Sequence, residues 1–150
     1  MRGLVQRVLQ ASVTIASGEA AAEVVGSIGP GLCVLVGVTH DDTEVNARKL
    51  ADKIWGLRVI DDDNGVMNRS IADTGGEVLI VSQFTLYGDT SGGRRPSWIN
   101  AARPEQAEPL VQRVVDHLRQ AGATVATGRF RTEMHVSLIN DGPVTLLLEV

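Results

Sequence analysis

Cysteine is almost absent from this 150-residue chain, where Cys33 stands alone. A single thiol closes no internal disulfide, so the core itself must hold the fold, and the pattern suits a reducing cytosol. No apolar stretch approaches the ~20 residues of a membrane-spanning helix, and no charged-then-apolar leader opens the chain, so a soluble, cytoplasmic protein is expected. A basic excess is missing too: the formal net charge is −4. That argues against a protein that coats nucleic acid through a uniformly basic surface, but not against a local basic site. The arginines are unevenly spread, with Arg94 and Arg95 adjacent in "SGGRRPSW" and Arg129 and Arg131 flanking Phe130.

The length suits one domain, 1–150, able to bury about 70% of the surface of its unfolded chain. "LVQRVL" and "SVTIAS" read as short strands, and Gly29-Pro30-Gly31 marks a turn between two more. "GLCVLVGV" and "EVLIVSQF" are apolar runs too short for helices, which suggests strands buried on both faces. Two helices follow from 3.6-residue spacing. The first carries Val45, Leu50, Ile54 and Leu57 behind Asp41 and Asp42 as caps; the second carries Ala107, Leu110, Val111, Val114 and Leu118 between Pro104 and Gly122. Pro109 is expected to delay or bend the second helix. With "ATVATG", "TEMHVSLIN" and "VTLLLEV" as three final strands, an α+β domain with a mostly antiparallel sheet results.

Most candidate chemistry dissolves on inspection. Cys33 lies in an apolar strand with nothing adjacent to lower its pKa, so a buried structural thiol is expected. His40, His117 and His135 lack metal-ligand spacing, and neither a metal nor another cofactor is assigned. In "VIDDDNGVMNRS", placing Gly65 at the sixth position of a calcium loop puts Ile60 where a carboxylate is needed, so an acidic surface turn is expected. "EVLIVSQFTLYGD" is more informative, because a buried strand runs directly into Ser82, Gln83 and Thr85, and polar groups at a strand end commonly form sites. No GxSxG elbow or neighbouring histidine supports a serine-hydrolase triad.

The last apolar run is broken by Asn140-Asp141-Gly142-Pro143. Backbone rules read Asp141-Gly142 as a hairpin turn with Pro143 opening the next strand, since proline gives no N–H to a ladder.

Taken together, "SQFTLYGD", "GGRRPSW" and "NDGPVT", with the opening "MRGLVQRV" and "GPGLCVLVGVTHDDTE", resemble the D-aminoacyl-tRNA deacylase family over essentially the whole chain. The resemblance implies a homodimer of compact, β-barrel-like subunits with two main helices packed outside. It implies hydrolysis of the ester joining a D-amino acid to the terminal adenosine of tRNA. It also implies that Gly142 and Pro143 form a cis pair reaching into the partner subunit's site, with Arg7 holding its orientation and Asn140 and Thr145 beside it. Ser82, Gln83, Phe84 and Thr85 then receive the aminoacyl-adenosine, and Arg94 and Arg95 are candidate tRNA contacts. Two departures stand out: Gly92-Gly93 replaces the lysine-glycine common in the family, and Trp98 stands where phenylalanine is frequent.

A filter that occupies the space of an L side chain discriminates by exclusion, and a thousandfold rejection needs about 4 kcal/mol. Achiral glycine passes such a filter, so glycyl-tRNA is an expected second substrate. Thr85 has been regarded as the family's nucleophile; the competing view gives the chemistry to backbone donors around Gln83 to Thr85 and to the tRNA 2′-hydroxyl. The lack of an adjacent base favours the second. The alternatives are a non-catalytic tRNA-binding dimer of the same fold and a Cys33-dependent hydrolase.

Overall fold

A computed structural model describes residues 1–150. Its framework is a six-stranded sheet built from β1 (Arg2–Ile15), β2 (Val24–Ile28), β3 (Gly31–Gly37), β6 (Glu77–Ser82), β7 (Val125–Thr127) and β8 (Met134–Glu149). Between β3 and β6 come α1 (Glu44–Trp55), a hairpin of β4 (Ile60–Asp61) and β5 (Met67–Arg69), and the four-residue α2 (Ile71–Thr74). Between β6 and β7 lie a 3₁₀ turn (Phe84–Tyr87) and α3 (Pro104–Gln120).

The first expected pair of strands is one continuous strand. β1 is long enough to pair antiparallel with β3 through Arg2–Val8 and with β2 through Ala11–Thr14, so the Gly29-Pro30 turn sets β2 and β3 end to end along one edge of β1. β3–β6 and β6–β7 are parallel, and these are the two continuous apolar runs, buried on both faces as parallel strands usually are. The alternation explains how: Leu32, Val34, Val36, Val78 and Ile80 face the helices, whereas Cys33, Leu79 and Val81 face a smaller core with Val8, Ala11 and Val13. β2 curls back towards β7, where a Cβ on Gly26 would run into the Thr127 carbonyl, and this approach nearly closes the sheet into a barrel.

Both main helices lie outside that sheet. All five positions expected to be buried on α3 are buried, each large aliphatic contributing roughly 2 kcal/mol. α3 runs from Pro104 without interruption, with Pro109 in its second turn. On α1 the buried set is Ala47, Leu50, Ala51 and Ile54; Val45 is 62% exposed, contrary to the periodic reading, because the narrower alanine face packs against α3. Nor are Asp41 and Asp42 its caps. Thr43 occupies that position, its N–H donating to Asn46 Oδ1 at 3.0 Å, while buried Asp42 accepts from the Met1 amine and the Thr39 N–H.

The hairpin expected at residues 140–143 is absent. β8 stays paired with β1 on both sides of the break: Asn140 faces Val8 and Thr145 faces Gln6, so four residues, 141–144, stand opposite Arg7 alone. Proline is tolerated there because the looped-out segment owes the ladder no N–H. No helix is long and apolar enough to cross a membrane.

Candidate active site

The ladder carries β6 one residue past Ser82, since the Gln83 N–H donates to the Val36 carbonyl at 2.8 Å. The chain then tightens into the 3₁₀ turn, with Leu86 N–H donating to Gln83 O and Gly88 N–H to Thr85 O. A helical turn leaves its first N–H groups without partners. Here those of Phe84 and Thr85 donate to nothing, while the Gln83 N–H is spent on the sheet. Gln83 Nε2 donates to the Thr85 hydroxyl.

Beside this turn opens a cavity of about 660 Å³. Ser82, Gln83 and Phe84 form one wall and Trp98, Ala101 and Ala102 another. Phe84 meets Trp98 edge to face, ring centroids 5.3 Å apart. The Trp98 segment is anchored by Thr39, whose hydroxyl donates to the Asn100 carbonyl at 2.6 Å, and by the His40 ring at Ile99 O. Phe130, between Arg129 and Arg131, completes the mouth.

Charge in this cavity has one sign. Among its lining residues only Arg129 and Arg131 are ionic; no carboxylate, histidine, lysine or thiol reaches it. Tyr87, the last residue of the turn and outside the cavity lining, is no base either, because burial pushes its phenol up to about 12 against the opposing charge of the Arg2 guanidinium 4.6 Å above its ring. Cys33 sits inside the barrel, its thiol pushed up to about 11 by burial. The acidic stretch is a hairpin tip between β4 and β5, where Asp62 accepts the Asn64 and Val66 N–H groups and is held below the usual carboxylate range by them.

The expected site residues therefore fall into separate groups. Ser82, Gln83 and Phe84 line the cavity, and Thr85 is the next residue, exposed and outside the lining. Arg94 and Arg95 stand exposed at the tip of a loop closed by the Asp89–Ser97 bridge, also outside it. In the sequence Arg129, Phe130 and Arg131 stand out only as an uneven cluster of charge, with nothing to tie them to β6.

The third group is the bulge. Arg7 Nη1 donates to Val59 O at 2.8 Å and lies 3.3 Å from Asp61 Oδ1, while Nε lies 3.0 Å from Asp141 Oδ2, an ion pair too bent for a hydrogen bond. Asn140 Nδ2 donates to the Thr145 hydroxyl at 2.9 Å, and Val144 N–H to Asn140 Oδ1, tying the neck of the loop. Gly142 has φ +113°, and a Cβ there would come within 3.0 Å of Arg7 Nη2. The Gly142–Pro143 peptide bond is cis, and both residues are exposed. None of this group lines its own chain's cavity.

Residues 4–149 match the family model described as D-Tyr-tRNA(Tyr) deacylase. Curated relatives named D-aminoacyl-tRNA deacylase include one from Symbiobacterium thermophilum, 57% identical over 99% of this chain and 95% of its own, and one from Nocardia farcinica, 58% identical over 99% of both. Among solved structures, a protein titled c-Myc DNA Unwinding Element Binding Protein superposes with TM-score 0.92 at 37% identity, covering 100% of this chain and 99% of its own. A probable eukaryotic D-amino acid tRNA deacylase shares the fold, with TM-score 0.82 at 16% identity over 99% of this chain and 98% of its own. Matched from end to end in sequence and in fold, the chain belongs to the D-Tyr-tRNA(Tyr) deacylase family.

Proposed function

We propose that the protein hydrolyses the ester of D-aminoacyl-tRNA, releasing the D-amino acid and tRNA, and that glycyl-tRNA is a second substrate. The observation that carries this reading is the pair of unspent N–H donors at Phe84 and Thr85 beside a cavity whose only charges are positive. Two preorganised amides suit the oxyanion that develops when water attacks an ester carbonyl, and cations suit a polyanionic substrate. Water adds to the carbonyl carbon, and the bond to the ribose 3′-oxygen breaks. With no side-chain base at the cavity, the tRNA 2′-hydroxyl assists and Thr85 positions. Phe84, Trp98 and Phe130 offer faces for the adenine.

Chirality is then a property of two subunits. β8 pairs with β1 along one edge only and exposes Val136, Ile139, Leu146 and Leu147, a pattern that favours a homodimer over an open apolar edge. In that dimer the Gly142-Pro143 loop, braced by Arg7, enters the partner's cavity and occupies the space an L side chain would need.

Incubation with D-tyrosyl-tRNA tests the activity directly: D-tyrosine should be released with multiple turnovers. A second reading, nucleic-acid binding without turnover, is favoured only by the name of the 37%-identical structural neighbour. Tight tRNA binding with the ester left intact would support that reading instead.

A further inference from the structure

Only two residues other than glycine hold a left-handed backbone in this chain, Ala22 at φ 68° and Arg131 at φ 55°. Ala22 lies in an exposed turn of β1–β2. Arg131 lies in the wall of the cavity. A side chain in this conformation works against its own Cβ, and glycine would sit there more easily. Such a residue persists where its surroundings fix it, and it raises the question of what the side chain does.

The surroundings do fix it. The crossover from β7 to β8 is pinned at one end by Gly128 N–H on Ile80 O and at the other by Ala16 N–H on Glu133 O. Within it the Thr132 hydroxyl donates to Phe130 O. The two guanidinium groups of the cavity differ sharply. Arg129 is committed, its Nη2 lying 2.9 Å from Glu23 Oε1, whereas Arg131 has neither ion pair nor hydrogen-bond partner. It is the one uncommitted cation lining a cavity without carboxylates, in a protein of net charge −4.

We propose that Arg131 is a positioning residue that contacts a backbone phosphate of the tRNA acceptor end, holding the terminal nucleotide in the cavity. This rests on tRNA being the substrate. Arg94 and Arg95, on a loop tip outside the cavity, contribute less to this contact. Guanidinium is suited to the task because it grips phosphate through paired N–H donors.

The test compares the full chain with Arg131→Gln, Arg131→Lys and Arg131→Gly. Binding of uncharged tRNA is measured across a salt series, so that this readout does not depend on turnover. Arg131→Gln and Arg131→Gly should weaken binding about fivefold and make the log–log salt slope shallower by about 0.7, the contribution of one single-strand phosphate. Arg131→Lys should keep the slope. Arg131→Gly should leave the melting temperature unchanged or higher, which separates the effect from misfolding.

With D-tyrosyl-tRNA the same losses should appear in KM, with kcat within about twofold of the unsubstituted enzyme. Unchanged affinity and slope in the glutamine variant would overturn the assignment. So would a defect confined to D-aspartyl-tRNA, which would mean that Arg131 reads an acidic side chain. Failure of the unsubstituted protein to hydrolyse D-tyrosyl-tRNA, with the binding losses intact, would count against the deacylase reading and leave the phosphate contact standing.

Discussion

Arg7 stands opposite the four residues that β8 loops out, and a Cβ on Gly142 would lie 3.0 Å from its Nη2. One guanidinium thereby links Asp141 in the loop to Asp61 and the Val59 carbonyl in the β4 region. Arg7→Ala removes all three contacts and should cost roughly 2 kcal/mol, or about 6 °C in melting temperature. The loosened loop should also let L-aminoacyl groups in, lowering the ratio of D- to L-tyrosyl-tRNA hydrolysis at least tenfold. Parallel deacylation assays and thermal denaturation measure both, and a variant with an unaltered ratio would separate Arg7 from selectivity.

Leu147 is half exposed on β8, directly across from Leu4 on β1. If this edge joins two subunits, Leu147→Arg should convert a species of twice 16.0 kDa into one of 16.0 kDa by light scattering. The ratio of D- to L-tyrosyl-tRNA hydrolysis should fall at least tenfold with it, because each cavity would lose the loop that excludes L side chains. A monomeric unsubstituted protein that still rejects L-tyrosyl-tRNA would refute the shared site.

Thr85 accepts from Gln83 and has no base beside it. Thr85→Ala keeps the backbone N–H and should retain kcat within about tenfold. A drop of a thousandfold or more, with tRNA binding intact, would make the hydroxyl the nucleophile after all.

Cys33 offers a control with a definite sign. Its thiol rises from 9.0 to about 11 on folding because burial disfavours the thiolate. The folded state thus holds that proton more tightly, so the contribution is complete below pH 9 and is lost as pH climbs to about 11, a change of roughly 3 kcal/mol. Urea denaturation of the protein and of Cys33→Ala should therefore converge at alkaline pH. Alkylating reagents at pH 7.5 should leave activity untouched, and inactivation by them would revive a thiol mechanism.

What could be read from the sequence was what depends on local periodicity: the buried face of α3, the apolar runs of β3 and β6, and the polar strand end at Ser82. The break at 140–143 misleads because a turn signal is local, whereas the continuity of β8 is imposed by β1, whose Val8 and Gln6 pair with Asn140 and Thr145 from the far end of the chain. Val45 misled for a similar reason, since its spacing fits the helix period but α3 selects the alanine face. The spent N–H of Gln83 and the cavity position of Arg131 had no sequence signal, because both depend on a ladder with β3 and on where a crossover lands. Both signature motifs were legible as motifs; the fold adds that Ser82, Gln83 and Phe84 line the cavity while Gly142 and Pro143 of the same chain do not.

Exclusion of L side chains can be read from paired deacylation rates. The same tRNA is charged separately with D-tyrosine, L-tyrosine and glycine, and deacylation is followed at equal enzyme concentration. The expected result is hydrolysis of the D-tyrosyl and glycyl esters with the L-tyrosyl ester at least a thousandfold slower, a difference of about 4 kcal/mol. Equal hydrolysis of the two tyrosyl enantiomers would contradict it.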